Sequence, residues 1–113
     1  MKLYNVKLLT ITCEILAQKN IIDILKNHNI SSSFFVVSEI AESIGSTLRE
    51  IKNQKHEISS HGTNHIRPIT IPLSKFYNDL DRSKKTLEDI TGGSIEGYRA
   101  PCFSIDRERI DQL

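Results

Sequence analysis

Cysteine is scarce in this chain. Cys13 and Cys102 are the only two, far apart and without a CxxC neighbour. Their spacing argues against the disulfide framework that staples small secreted domains and against a structural zinc site of the cysteine type, and two reduced thiols are expected. A long uninterrupted apolar run is missing as well. The opening MKLYNVKLLTITCEIL is broken by Lys7 and Glu14, and no small-residue cleavage site follows it. It predicts a buried strand rather than a leader or a membrane span, so the expected compartment is the cytoplasm. Charge of one sign is also lacking: 15 basic against 14 acidic residues leave a net charge of +1, and neither sign gathers into a stripe. Nucleic acid is therefore not an expected partner. What remains is an ordinary globular composition, 38% hydrophobic and 26% charged, in 113 residues. That is enough for one domain around one core and too little for two.

Along the chain, residues 3–12 are rich in apolar and β-branched side chains and predict a strand. A helix is expected over residues 17–28, where Ile21, Ile22 and Leu25 recur at helical spacing and Asn29 suits a left-handed cap. Residues 33–37, SFFVV, have the continuous apolar pattern of a strand buried on both faces. Ile40, Ile44, Leu48 and Ile51 then mark a helical face with a break near Gly45 and Ser46, before a strand at Glu57–Ser60. Pro68 and Pro72 punctuate a loop. Ser74 is the expected cap of a long helix lined by Phe76, Leu80, Leu87 and Ile90, which Gly92 and Gly93 end. A fourth strand over residues 95–99 leads into APCFS and a further helix opening at SIDRERIDQL.

Strands separated by helical crossovers run parallel, so the expected fold class is α/β, layered or barrel, with about four strands. A closed eight-stranded barrel takes about 250 residues. The expectation is therefore a single partial domain over residues 1–113, truncated at its C-terminus, or else a small open sheet that pairs along its exposed edge and self-associates.

Parallel strands place all their carboxyl ends together, where α/β proteins carry their sites. There the sequence puts Thr12, Cys13 and Glu14 after the first strand, His61 after the third and Arg99 after the fourth. In EISSHGTNH, His61 and His65 are four apart with Gly62 between them, a spacing that lets two imidazoles meet one ion. The same spacing also occurs on plain solvated surfaces. His28 suits a helix C-terminus, favoured by the dipole, and His56 a loop entering the third strand. Pro101 forces Ala100 towards extended backbone and so fixes the direction of Arg99, which alone would read as a surface arginine. The Cys102 N–H is expected to face the same mouth, with its thiol buried in packing.

Two stretches together resemble the polysaccharide deacetylase family, metal-dependent carbohydrate esterases that remove N-acetyl groups from sugar polymers. FFVVSEIAESIGSTLREIKNQKHEISSHGTNH is similar to its second strand, following helix and histidine motif. SKKTLEDITGGSIEGYRAPCFSI is similar to its long helix, Gly-rich turn and arginine-proline motif, in the GYRAP form associated with exopolysaccharide or cell-wall modification. The resemblance implies a partial (β/α) barrel and hydrolysis of a non-peptide carbon–nitrogen bond. It implies that His61 and His65 bind a divalent metal, zinc with cobalt or nickel as alternatives. It further implies that Arg99 orients and charges a catalytic aspartate, that the backbone N–H of Cys102 donates to the oxyanion, and that the substrate is an N-acetylated polysaccharide or is peptidoglycan-like. One departure stands out: Thr12 and Cys13 occupy the places of the family's first-strand carboxylates, leaving Glu14 as the catalytic candidate there. The alternative expectation is thus an inactive, truncated or degenerate fragment that binds metal, sugar or a partner.

Overall fold

The structure, a computed structural model, describes residues 7–10 and 20–113. Strand and helix alternate as β1 (Lys7–Thr10), α1 (Asn20–Asn27), β2 (Ser32–Val36), a 3-10 segment (Ser38–Ile44) running into α2 (Gly45–Asn53), and β3 (Glu57–Ser60). A 3-10 turn (Pro68–Thr70), α3 (Leu73–Thr91), a second such turn (Pro101–Phe103) and α4 (Arg107–Ile110) follow. The strands form one parallel sheet in the order β1-β2-β3, with Leu9 opposite Phe34 and Phe34 opposite Ile58. Among the described residues no helix is long and apolar enough to cross a membrane.

β2 is buried along its whole length, as its unbroken apolar run requires. The strand period of two splits its faces. Phe34 and Val36 join Ile22, Leu25, Leu48, Ile51, Ile58 and Leu87 in the core beneath the helices, whereas Phe35 turns to the other face and meets Arg99. Burying one such side chain fully is worth about 1.5–3 kcal/mol. This cluster therefore fixes how α1, α2 and α3 lie on the sheet. The helix ends follow their sequence signals: Asn29 closes α1 at φ 52°, and Gly92 closes α3 at φ 70° with its N–H on the Glu88 carbonyl. The break near Gly45 is the passage from 3-10 to α-helix.

Two local expectations are corrected. Ser74 does not cap α3: the helix begins at Leu73, and the cap position is held by Pro72, whose carbonyl accepts the Phe76 N–H at 3.0 Å. The fourth strand, expected over residues 95–99, is a single parallel bridge between Ser60 and Tyr98. Its two hydrogen bonds, Ser60 N–H to Gly97 O (2.8 Å) and Arg99 N–H to Ser60 O (2.9 Å), are the ladder's whole extent. Gly97 brings no side chain to pack, and a Cβ there would lie 2.3 Å from Ser59 Oγ. Pro101 then prevents continuation, since it has no N–H to give. The parallel α/β layering stands, with three strands and a one-residue fourth position among the described residues.

Candidate functional site

β3 ends at Ser60, and the next residue, His61, is held by two hydrogen bonds. Its N–H donates to Val36 O (2.9 Å), and its Nδ1 lies 2.8 Å from the Arg99 carbonyl. A carbonyl only accepts, so Nδ1 carries the proton and Nε2 keeps a free lone pair. His61 is 3% exposed, and desolvation lowers its pKa. The Arg99 carbonyl bond opposes that shift, while the nearby charges of His65 and Arg99 reinforce it. The ring is thus kept neutral, the form that binds metal.

Gly62 (φ 82°) and His65 (φ 60°) are both left-handed, and the turn between them brings the chain back on itself. The two imidazole centroids come to 4.8 Å at an interplanar angle of 68°. Two imidazoles sharing one tetrahedral ion at metal–nitrogen distances of about 2.0–2.1 Å have centres roughly 5 Å apart. The pair therefore fits two positions of a divalent-metal set. Among the described residues no third His, Cys, Asp or Glu completes a cluster. Glu14, with Thr12 and Cys13, lies outside the described residues.

The arginine motif joins this loop through the Arg99 backbone carbonyl. Ala100 is extended (φ −68°, ψ 129°), as the following proline demands. The Arg99 guanidinium sits 4.5 Å from the Phe103 centroid and 5.8 Å from that of Phe35. Cys102 (φ 55°) and Phe103 (φ 51°) are consecutive left-handed residues without being glycine, a rare arrangement that costs backbone strain. The Cys102 N–H makes no hydrogen bond to a described residue. Its thiol, expected to be buried, is exposed. The left-handed backbone swings the side chain outward, and Pro101 takes the buried place instead.

Of the expected residues, the structure brings His61, His65 and Arg99 together, with Cys102 three positions beyond Arg99. His28 ends α1 exposed, its N–H on Ile24 O. His56 is in the loop entering β3 but buried, its Nδ1 accepting the Ser32 N–H at 3.2 Å. Two contributors went unread in the sequence. Ser83 on α3 meets Ser60 Oγ at 2.7 Å, and Asp79 on the same helix accepts the Thr63 N–H. The available signal was the inward face of α3, where Phe76, Asp79, Ser83 and Leu87 follow at spacings of three and four. A polar residue in a buried stripe is the informative kind. Tyr98 packs edge-on against Phe76, and burial, aided by the Asp79 charge, raises its phenol well above the ordinary range.

A parallel α/β layer with two convergent imidazoles, an arginine and a left-handed backbone turn at its strand ends has the layout of α/β proteins whose sites lie at the carboxyl edge of the sheet. The polysaccharide deacetylase family profile matches residues 12–113, and the chain belongs to that family. It is 26% identical over 94 residues to the peptidoglycan-N-acetylglucosamine deacetylase of Listeria monocytogenes, covering 82% of this chain and 20% of that protein. The chain thus spans about a fifth of that relative's length. Its fold is similar to a CE4 family pseudoenzyme from Bacillus anthracis (TM-score 0.84, 19% identity, 96% of this chain and 40% of that one). It is likewise similar to a family 4 acetyl xylan esterase from Clostridium thermocellum in complex with a cobalt ion (TM-score 0.84, 15% identity, 96% and 53%). These likenesses make the three-stranded sheet part of the family's partial barrel.

Proposed function

We propose that this chain is part of the domain of a metal-dependent deacetylase that removes N-acetyl groups from an amino-sugar polymer of the peptidoglycan type. The observation that carries this is the His61–His65 pair, with His61 fixed by the Arg99 carbonyl so that Nε2 is free. His61 and His65 hold the divalent ion, zinc by the chemistry of imidazole ligands, with cobalt or nickel also accepted. When bound, that ion supplies Lewis acidity towards an amide carbonyl and water. The Cys102 N–H donates to the oxygen on which negative charge grows. Arg99 sets positive charge beside the proton-accepting carboxylate, for which Glu14 is the candidate. Exposed Ile66, Ile69, Phe103 and Ile110 and the short sheet support self-association, which light scattering tests: a monodisperse monomer with a cooperative melt removes it.

The reading is tested by metal content and acetate release. The chain should bind a divalent ion near one equivalent, and joint replacement of His61 and His65 by alanine should abolish that binding while the helical signal stays. Binding that survives the replacement places the ion elsewhere. Thr12 and Cys13, where the family carries carboxylates, favour a second reading: a degenerate fragment that binds metal or sugar without turnover. Acetate release from N-acetylglucosamine oligomers only after Thr12→Asp supports the degenerate site. Release by the native chain, lost in Glu14→Gln, supports catalysis.

A further inference from the structure

The turn that returns His65 to His61 is gripped from two directions. From the β2 side, Ser38 N–H donates to Gly62 O (3.0 Å) and Glu39 N–H to Thr63 O (2.9 Å). From α3, Ser83 Oγ meets Ser60 Oγ, which in turn accepts the Gly62 N–H at 3.1 Å. The Thr63 N–H finds its acceptor in the Asp79 carboxylate, with Oδ1 at 3.2 Å and Oδ2 at 3.4 Å. Asp79 and Ser83 are four apart on one face of α3, so a single helical surface addresses the turn at two points. Aspartate is a poor residue for a helix interior, and position 79 is well inside a helix that begins at Leu73, so it is no cap. The carboxylate also lies against the bare Cα of Gly62: a Cβ there would come within 3.1 Å of Oδ2, at a φ of +82° that already disfavours a side chain.

We propose that Asp79 is the positioning residue of the histidine pair, its carboxylate holding the Gly62–Thr63 turn in the left-handed course that sets His65 beside His61. The part that concerns metal rests on the proposed function; the part that concerns the turn does not. Asp79 touches neither imidazole. It acts through the Thr63 N–H, as outer partners of metal ligands do, and such partners typically change metal affinity by about 10–100-fold when removed.

The experiment measures amide hydrogen exchange and cobalt affinity on the intact chain and on Asp79→Ala and Asp79→Asn. In Asp79→Ala the Thr63 amide should exchange faster relative to the core amides of Leu48 and Ile51, and cobalt affinity should fall by about 10–100-fold. Asp79→Asn keeps an acceptor oxygen and should recover most of both. The proposal is overturned if Thr63 exchange in Asp79→Ala stays at the native level. It is equally overturned if all three amides accelerate together, or if Asp79→Asn is no better than Asp79→Ala. A native chain that binds no cobalt removes the metal function, and the Thr63 exchange still decides the role of Asp79.

Discussion

His56 and His61 stand at opposite ends of β3, both buried and both with imidazoles pushed below their ordinary pKa of 6.5 by desolvation. Their hydrogen bonds give them opposite tautomers. His56 accepts the Ser32 N–H on Nδ1, so its proton is on Nε2, which is buried without a partner among the described residues. His61 donates from Nδ1 to the Arg99 carbonyl and keeps the Nε2 lone pair. Burial and a shifted pKa are common to both; only the second can offer nitrogen to an ion. The cavities run the other way. A cavity of about 480 Å³ lies at the His56 end, lined in part by Leu25, Asn29, Gln54 and Lys55. The histidine pair and the left-handed Cys102–Phe103 turn are at the opposite, carboxyl end. Concavity at the amino ends of parallel strands goes with stability, and chemistry with the carboxyl ends.

The largest expected effect makes both ends fail together. Phe34 is fully buried, packs 5.4 Å from the His56 ring and belongs to the core that carries β2 and β3. Phe34→Ala should cost about 3–5 kcal/mol in urea unfolding, through lost transfer energy and the cavity left behind. A loss well under 1 kcal/mol would mean that the sheet is not held by this core.

A single substitution at each histidine should separate the ends. His56→Ala leaves the buried Ser32 N–H without its acceptor, which costs about 1–3 kcal/mol, and should leave divalent-metal affinity unchanged. His61→Ala should remove metal binding instead. Calorimetric titration of both variants decides it; metal loss in His56→Ala would erase the distinction between the two ends.

The sequence made one of these ends far more legible than the other. β3 could be read to its boundaries from Glu57–Ser60, and the histidine pair from its spacing around Gly62, because both are local patterns. Asn29 and Gly92 likewise announce left-handed caps through their own chemistry. What escaped depends on contacts distant in the chain. The bridge at Tyr98 is short because Gly97 brings no side chain to pack, in a space beside Ser59 that has no room for one. The Cys102 thiol points outward because its backbone is left-handed, which no cysteine signals. Asp79 gained its role only when α3 folded over Thr63. The burial of His56 is of the same kind, set by Phe34 and Ser32 across the sheet.

A pH series refines the comparison. With its folded pKa depressed, His56 stays neutral where the unfolded chain already takes up a proton, so the unfolded state binds more protons just below pH 6.5. Stability of the metal-free protein should be fully present above that value. It should fall as pH drops through 6.5 towards the folded pKa, and His61 contributes in the same direction. Urea midpoints across this window should show a shallower fall in His56→Gln than in the native chain. An unchanged slope would mean that His56 protonates alike in both states.

The smallest expected effect lies in the arginine motif. The Arg99 guanidinium is held over the Phe103 ring at 4.5 Å, yet Phe103 is 74% exposed, so water screens much of the attraction. Cation–π pairs at exposed sites are worth about 0.5–1 kcal/mol. A double-mutant cycle with Arg99→Met and Phe103→Ala should return a coupling of about that size, and Phe103→Ala alone should leave metal affinity intact, since His61 is tied to the backbone carbonyl of Arg99 and not to its side chain. Zero coupling would leave Phe103 without a part in aiming the guanidinium and assign that direction to Pro101 and Phe35. A coupling well above 1 kcal/mol would mean that the pair is shielded from water more than its exposure indicates, as it would be if another copy covered Phe103.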